Sequence, residues 1–251
     1  MIKKLDVVIP VLNEEVDLEP STRTLHEYMS AHLDQYEWVI VIADNGSTDA
    51  TLDIAGRLSR EFPNVSFIRL EQRGRGRALK RAWTESKADI VAFMDVDLST
   101  DLEALPGLIR AVDVEGYEIA IGSRLARGAV VTQRPFKREL FSRVYSLLVR
   151  ASFLCGFRDA QCGFKAVTRR VADEVVPLVE NTGWFFDTEL LIIAEKNGYP
   201  IRELPVRWSD DLDSRVNVVR TVVEDIKGLL RMRFGGLGRA SRKLTALREP
   251  S

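Results

Sequence analysis

Two aspartates, Asp95 and Asp97, are separated by one residue and stand where an apolar run at residues 90–94 ends. Such a short apolar run is typical of a buried strand, and open α/β sheets bind ligands beyond the carboxyl ends of their strands. Paired carboxylates there attract a hard divalent cation, which keeps several waters and commonly bridges to phosphates. The spacing therefore predicts a Mg²⁺ or Mn²⁺ site facing a diphosphate ligand. Taken alone, the pair also fits a solvated acidic turn that caps the next helix.

Two further polar loops are expected beside this pair, at residues 10–15 and 44–49, each of which follows an apolar run. Because parallel strands share a carboxyl end, all three loops should converge at one edge of the sheet. Asp44 and Glu14 are expected to accept hydrogen bonds from a base or ribose, and Gly46 lets the backbone approach a ligand closely. The alternative for residues 44–49 is a tight turn followed by a helix N-cap.

A basic, glycine-containing segment, RGRGR at residues 73–77, follows the third apolar run and opens a helix. Small residues and cations at a helix amino end form an anion site. The segment lacks the GxGxxG spacing of dinucleotide-binding folds and does not follow the first strand. It predicts a phosphate contact, with a solvated basic loop as the alternative.

These motifs are carried by apolar runs that alternate with segments of helical periodicity, which is the pattern of βαβ units on a parallel sheet. Strands are expected at residues 5–11, 38–43, 65–70, 90–94 and 118–123. Helices are expected near residues 18–33, 51–62, 77–86 and 102–114. Further helices are expected near 169–179 and 186–196. Strand-like segments, which include 201–208, should extend the sheet. The fold class is therefore α/β with a mainly parallel central sheet.

The charge and cysteine content of the chain limit the kinds of molecule to which it is expected to bind. The chain has 251 residues and a formal net charge of −1, so a general electrostatic attraction to nucleic acid is not indicated. Cys155 and Cys162 are the only cysteines and no histidine is near them, which argues against a zinc site or a disulfide framework and favours a cytoplasmic setting. No apolar stretch approaches the roughly 18 residues that span a bilayer.

The ordered set of motifs resembles the inverting nucleotide-sugar glycosyltransferases of the GT-A fold. Within that group, it is similar to the enzymes that attach a hexose to polyprenyl or dolichyl phosphate. The resemblance extends from about residue 5 to about residue 232 and is carried by residues 8–15, 44–49, 73–76, 94–99, 122–124 and 159–165. It implies a nucleotide-sugar-binding sandwich, a nucleotide diphosphate sugar as donor, a polyprenyl phosphate as acceptor, and inversion at the anomeric carbon.

The later motifs look closer to glucose-transferring than to mannose-transferring members, and they favour a UDP-glucose-type donor. Residues 159–165, 186–191 and 205–208 carry this similarity. Arg77 and residues 213–216 depart from the glucose-type pattern. A GDP-mannose donor, a non-lipid acceptor, and a non-enzymatic sugar-nucleotide sensor subunit are the alternatives.

The resemblance and the charge pattern together assign roles to particular residues. Donor-binding residues are expected to be Pro10, Leu12, Glu14, Asp44, Gly74, Arg75, Asp95 and Val96. Cations for the acceptor phosphate are expected to be Arg134, Lys137, Arg138 and Arg215. The catalytic group is expected to comprise Asp97, Arg124 and Asp159, of which Asp97 also binds the metal. Asp159 is the candidate general base or orienting acid, and Asp187 is the second choice.

An amphipathic segment at about residues 134–156 offers a way to reach a lipid acceptor. At about 100° per residue one helical face gathers apolar side chains, with Arg143 and Arg150 on its flank. That face comprises Phe136, Leu140, Val144, Leu147, Leu148 and Ala151. An apolar face edged by cations suits a helix lying among anionic headgroups. The alternative is a helix whose apolar face packs on the domain's own core.

The expected organisation is a single GT-A domain over residues 1–234, including that interface segment, and a flexible basic tail over residues 235–251. The expected location is cytoplasmic and peripheral, on the cytoplasmic face of a membrane. A membrane-anchored partner subunit is an alternative means of attachment.

Overall fold

The computed structural model describes residues 2–133, 135–209 and 218–248, with 137 and 218–220 described by their backbone alone. Within them, the strands are β1 (Lys4–Val11), β2 (Glu37–Asp44), β3 (Val65–Arg69), β4 (Ile90–Met94), β5 (Ile119–Ser123), β6 (Val130–Thr132), β7 (Phe164–Thr168), β8 (Ile201–Pro205) and β9 (Arg207–Ser209). The α-helices are α1 (Leu18–His32), α2 (Thr51–Glu61), α3 (Arg75–Glu85), α4 (Leu105–Asp113), α5 (Phe136–Phe153), α6 (Arg169–Glu174), α7 (Phe186–Lys196), α8 (Val218–Arg231) and α9 (Leu237–Arg248).

The central sheet has the strand order β3-β2-β1-β4-β7-β5-β8 and is mainly parallel, which confirms the predicted α/β class. The first five strands lie within one residue of their expected bounds. The short strands β6 and β9 form a separate parallel pair at residues 130–132 and 207–209.

Alternation along β1 and β4 explains why the sheet is buried on both faces. Val8 pairs in register with Phe93, and both belong to the core on one side of the sheet. Val7, Ile9 and Ala92 belong to the core on the other side. Successive side chains of a strand point to opposite faces, so an uninterrupted apolar run fills both layers.

Strand β7 is antiparallel to both of its neighbours, β4 and β5. Its first residue, Phe164, pairs with Met94, the last residue of β4. The amino end of an antiparallel strand lies at the carboxyl edge of the parallel strands beside it. The loop at residues 159–163 is therefore placed directly beside Asp95.

The end of the chain differs from the flexible tail expected for residues 235–251. Residues 237–248 form helix α9, in which Ala240 and Leu244 are buried in the core. Arg239 pairs with Glu180, so part of the basic character of this segment is neutralised by contacts with the domain. Two buried apolar positions on one helical face anchor a segment whose average composition is polar.

Helix α5 is amphipathic as predicted, and it packs on the domain through Tyr145, Val149 and Phe153. Its other face has side chains exposed by 47% to 80%, namely Phe136, Leu140, Phe141, Val144, Leu147 and Leu148. Ala151 of the predicted face is also exposed. Over the described ranges, no helix is both long and apolar enough to cross a bilayer.

Candidate functional site

The polar loops that follow β1, β2 and β4 lie side by side at the carboxyl edge of the sheet. Val11, the last residue of β1, pairs with Asp44 at the end of β2, and β1 also pairs with β4. The first two loops are joined by hydrogen bonds: the Asn13 amide donates to Oγ of Ser47 (2.9 Å) and the Glu14 amide to Oγ1 of Thr51 (2.8 Å). The predicted convergence is therefore present.

Asp44 is buried, and its two carboxylate oxygens differ in their surroundings. Oδ1 accepts a hydrogen bond from the Ser47 amide at 3.1 Å. Oδ2 is buried and has no hydrogen-bond partner within the described ranges. A buried oxygen without a donor is costly, so Asp44 is suited to accept a hydrogen bond from a ligand at this edge.

Asp95 and Asp97 occupy different environments on the turn after β4. Asp95 is half-buried, and its amide donates to the Gly163 carbonyl at 3.1 Å. Asp97 is exposed, and its Oδ1 accepts from the Ser99 amide at 2.9 Å. Leu98 has a φ of 50°, so the chain reverses tightly between these acids and the following helix.

Gly163 leaves room for the Asp95 side chain. A Cβ atom at Gly163 would lie 1.6 Å from Oδ2 of Asp95 and 2.2 Å from its Cγ. Gly163 does not have a positive φ, so the requirement for glycine comes from this close approach. The glycine of the 159–165 motif is thus explained by the position of the carboxylate that it faces.

Arg75 joins the aspartate pair to helix α7. Its Nη2 donates to Oδ1 of Asp95 at 3.0 Å, and its Nη1 donates to Oδ2 of Asp187 at 2.6 Å. The guanidinium lies 4.9 Å from the centre of the Phe93 ring and 5.0 Å from that of Trp184. Burial alone would lower the pKa of Arg75, but the charges of Asp187 and Asp95 hold that pKa above its ordinary value.

Asp187 is shared by two cations. Besides Arg75, it pairs through Oδ1 with Nζ of Lys165 at 3.1 Å, and both Asp187 and Lys165 are buried. Lys165 also donates to the carbonyl of Cys162. A carboxylate that is buried and paired twice is poorly placed to take a proton from a substrate. The geometry favours Asp187 as the residue that orients Arg75, rather than as the second-choice base.

Arg124 and Asp159 form a bidentate pair, with Nε to Oδ2 and Nη2 to Oδ1 distances of 2.8 Å each. The Arg124 amide also donates to Oδ2 of Asp159 at 2.9 Å, and the guanidinium lies 4.9 Å from the centre of the Trp208 ring. Burial raises the pKa of Asp159, but the charge and hydrogen bonds of Arg124 outweigh this effect and place that pKa below its ordinary value. Asp159 is therefore an ionised carboxylate whose two oxygens hold Arg124 in place.

At the amino end of α3, where the sequence predicts a phosphate contact over residues 73–77, two backbone amides are bonded within the protein. The Arg77 amide donates to the carbonyl of Thr182 at 3.1 Å, so a protein oxygen takes one of the amides expected for a phosphate. The amide of Gly74, which has a φ of 149°, donates to Oδ1 of Asn45 at 2.5 Å. These bonds dock the glycine-containing segment on the protein itself, and the guanidinium of Arg75 extends from it to Asp95.

The remaining predicted residues fall into three groups. Pro10, Leu12 and Val96 lie beside the converging loops, at the carboxyl ends of β1 and β4. Arg138 lies in the first turn of α5, and Lys137 precedes it with only its backbone described. Arg134 and Arg215 lie outside the described residues.

Within the described chain, no group of three or more histidine, cysteine or acidic side chains is assembled that could hold a metal ion. Asp95 and Asp97 instead offer hard oxygen ligands from a single turn. Such a donor set suits Mg²⁺ or Mn²⁺ when water and ligand phosphates supply the other positions.

The comparison with protein families gives a match over residues 6–176 to the family described as "Glycosyl transferase family 2". The chain is similar to glycosyltransferase AglD of Haloferax volcanii, with 35% identity over 221 residues that cover 88% of this chain and 35% of AglD. It is also similar to the dolichyl-phosphate beta-glucosyltransferase of Dictyostelium discoideum, with 28% identity over 242 residues covering 92% of this chain and 74% of that protein. The human dolichyl-phosphate beta-glucosyltransferase is 30% identical over 222 residues, which cover 83% of this chain and 68% of that protein. The chain thus spans about a third of the length of AglD and about two thirds or more of the other two.

Solved structures match the fold. The glucosyl-3-phosphoglycerate synthase of Mycobacterium tuberculosis, in a complex with Mn²⁺, UDP-glucose and phosphoglyceric acid, aligns with a TM-score of 0.69 and 20% identity. The alignment covers 93% of this chain and 80% of that one. The GT-A architecture expected from the sequence is confirmed by this similarity.

Proposed function

The chain belongs to glycosyl transferase family 2, and we propose that it transfers a hexose from a nucleotide diphosphate sugar to a polyprenyl or dolichyl phosphate with inversion. Glucose is favoured as the hexose because relatives named dolichyl-phosphate beta-glucosyltransferase align over most of this chain, and the motifs at residues 159–165, 186–191 and 205–208 favour a UDP-linked donor. The observation that carries the proposal is the meeting of Asp44, Asp95, Asp97 and Arg75 at the carboxyl edge of the sheet.

Asp44 and the loop after β1 are proposed to hold the nucleoside. The unpartnered Oδ2 of Asp44 supplies an acceptor for a base or ribose donor. Pro10, Leu12 and Glu14 lie on the neighbouring loop, whose backbone is fixed by bonds to Ser47 and Thr51. A loop that is already ordered loses little conformational entropy when the nucleotide binds.

Asp95 and Asp97 are proposed to hold Mg²⁺ or Mn²⁺, since two carboxylates on one turn fit a hard cation that shares its remaining positions with phosphate oxygens. When bound, the cation neutralises negative charge that develops on the nucleotide leaving group. Arg75, held by Asp187, adds a fixed positive charge beside Asp95. Val96 and Gly74 are the other residues on this side of the site that are proposed to bind the donor.

The acceptor phosphate is proposed to attack without a strong protein base. A phosphate monoester has a second pKa of about 6, so around neutral pH the nucleophile is largely dianionic. Asp159 therefore acts by orienting Arg124 toward the reacting phosphates rather than by removing a proton. Fixed, preorganised charges of this kind can lower the barrier without the reorganisation that water would need.

The exposed apolar face of α5 is proposed to contact the membrane that carries the acceptor lipid. Arg143 and Arg150 on this helix are exposed and suit anionic headgroups. Arg138, with Lys137, Arg134 and Arg215, is proposed to receive the acceptor phosphate. The protein would then act as a peripheral enzyme on the cytoplasmic face of a membrane, alone or with a membrane-anchored partner.

The test is to offer the purified protein a panel of UDP- and GDP-sugars with a short polyprenyl phosphate and Mg²⁺ or Mn²⁺. We expect labelled glucose from UDP-glucose to enter the organic phase as a lipid-linked product. Transfer from GDP-mannose and not from UDP-glucose would show that the donor is GDP-mannose. Labelled product that stays in the aqueous phase would indicate a non-lipid acceptor. Binding of sugar nucleotides without turnover, across all metals and acceptors, would favour the sensor subunit.

A further inference from the structure

Helix α8 exposes one apolar face and buries an acid on the other. Its outward side chains, exposed by 40% to 52%, are Val222, Val223, Ile226 and Leu230. On the inward face, Asp225 is 4% exposed, and a Cβ at Gly228 would lie 2.3 Å from the ring of Phe185. A carboxyl group in such a tightly packed position is destabilising unless it is hydrogen-bonded.

The contacts of Asp225 are directed toward the candidate site. Its Oδ2 accepts a hydrogen bond from Nε2 of Gln161 at 2.9 Å. Its Oδ1 is buried and has no hydrogen-bond partner within the described ranges. On helix α5, the hydroxyl of Tyr145 is hydrogen-bonded to Oγ1 of Thr188 at 2.8 Å. Thr188 is the neighbour of Asp187, which orients Arg75. Helices α8 and α5, which both have exposed apolar faces, are therefore linked to the site by partly buried polar contacts.

Gln161 lies at the centre of the loop at residues 159–163. Two residues before it, Asp159 holds Arg124 in the bidentate pair. Two residues after it, Gly163 contacts Asp95 through its carbonyl oxygen and leaves space for the Asp95 carboxylate. A shift of Gln161 would consequently move both acids of the proposed reaction centre.

We propose that Asp225 is a positioning residue that, through its hydrogen bond to Gln161, ties helix α8 to the loop that sets Asp159 and Asp95. This inference rests on the proposed function. This directional hydrogen bond joins the buried carboxylate of Asp225 to the partly exposed side chain of Gln161, and it fixes the loop relative to helix α8.

The first experiment is a double-mutant cycle on Asp225→Ala and Gln161→Ala, with steady-state kinetics of sugar transfer. We expect each variant to lower kcat by about tenfold, since small misplacements of catalytic groups are costly, and to leave KM for the nucleotide sugar within about threefold. The double variant should be no slower than the slower single variant, because both remove the same bond. Asp225→Asn keeps an oxygen that accepts from Gln161 and should recover most of the activity. Asp53→Asn, at an exposed helical acid, is the matched control.

The proposed link between Asp225 and Gln161 would be overturned if the losses in kcat of the two single variants multiply in the double variant. It would also be overturned if Asp225→Asn is as slow as Asp225→Ala. Hydrogen exchange gives a readout that does not depend on turnover. In Asp225→Ala and Gln161→Ala, the amides of residues 159–163 should exchange faster while those of β1 are unchanged. Unchanged exchange in a folded variant would also overturn the proposal. If the wild-type protein transfers no sugar, the proposed function fails, and the exchange result alone still decides the link. If Asp225→Ala does not fold, the same measurements on Gln161→Ala, at a partly exposed position, still test the proposal.

Discussion

Replacing Gly163 with alanine should strongly impair catalysis while the protein stays folded. The added methyl group would lie 1.6 Å from Oδ2 of Asp95. Carbon and oxygen atoms in contact are normally about 3.5 Å apart, so the carboxylate must move by roughly 2 Å. Since the backbone at Gly163 does not need a positive φ, the substitution acts through this clash and not through backbone strain.

The size of the effect follows from two magnitudes. Overpacking in a well-packed region typically lowers the free energy of unfolding by about 1–3 kcal/mol. A displacement of about 1 Å in a reacting group can cost about a hundredfold in rate, so we expect Gly163→Ala to reduce kcat/KM by at least about that factor. The displacement would also break the 3.0 Å contact between Arg75 and Asp95.

The assay is the initial rate of sugar transfer into the organic phase, with thermal unfolding measured on the same samples. Gly107→Ala is the matched control, because a Cβ at that exposed helical position meets nothing within 4 Å. We expect this control to keep the wild-type rate. A folded Gly163→Ala protein that transfers sugar at the wild-type rate would refute the placement of Asp95 in the reaction centre.

Three other expectations test separate parts of the structure. Asp187→Asn should lower kcat/KM by about tenfold or more, because it removes a charged partner of Arg75 and leaves buried Lys165 without its carboxylate partner. Unchanged kinetics would show that Asp187 does not position Arg75. Leu147→Glu, on the exposed face of α5, should weaken co-sedimentation with anionic vesicles while the melting temperature stays within a few degrees, and undiminished binding would exclude that face. Burial raises the pKa of Asp225 to about 7 from an ordinary 3.8. Between these pH values the folded protein keeps the proton on Asp225 and the unfolded chain does not, so the free energy of unfolding should fall as pH rises through this range. Denaturant titrations at pH 5 and pH 8 should show a fall on the order of a few kcal/mol that Asp225→Asn lacks, and equal pH dependence in the two proteins would contradict this.

The sequence predicts the elements of the first half because each is encoded locally. The apolar run at 90–94 and the acids that end it locate both β4 and the metal-binding candidates. The direction of β7 is not encoded in this way, since nothing in the short segment FKAVT at residues 164–168 distinguishes a parallel from an antiparallel strand. Its antiparallel pairing with β4 depends on tertiary packing, yet it is what brings the 159–163 loop to Asp95.

The ion pairs of the site are the part that sequence reasoning misses. Arg75 and Asp187 are separated by 112 positions, and no periodicity links them. Arg124 and Asp159 each stand in a recognised motif, but their bidentate geometry, and hence the orienting role that it favours for Asp159, requires the fold. Helix α9 is missed for a different reason, because its two buried residues are too few to change the average character of the segment.

The central claim is that Asp95 and Asp97 hold a divalent cation against the diphosphate of a nucleotide sugar. The most direct measurement is Mn²⁺ binding followed by electron paramagnetic resonance, with and without UDP, in the wild-type protein and in Asp97→Asn. We expect about one Mn²⁺ per chain to bind tightly in the presence of UDP, and this binding to be lost in the folded variant. Equal UDP-dependent Mn²⁺ binding by both proteins, or none by the wild type, would contradict the claim.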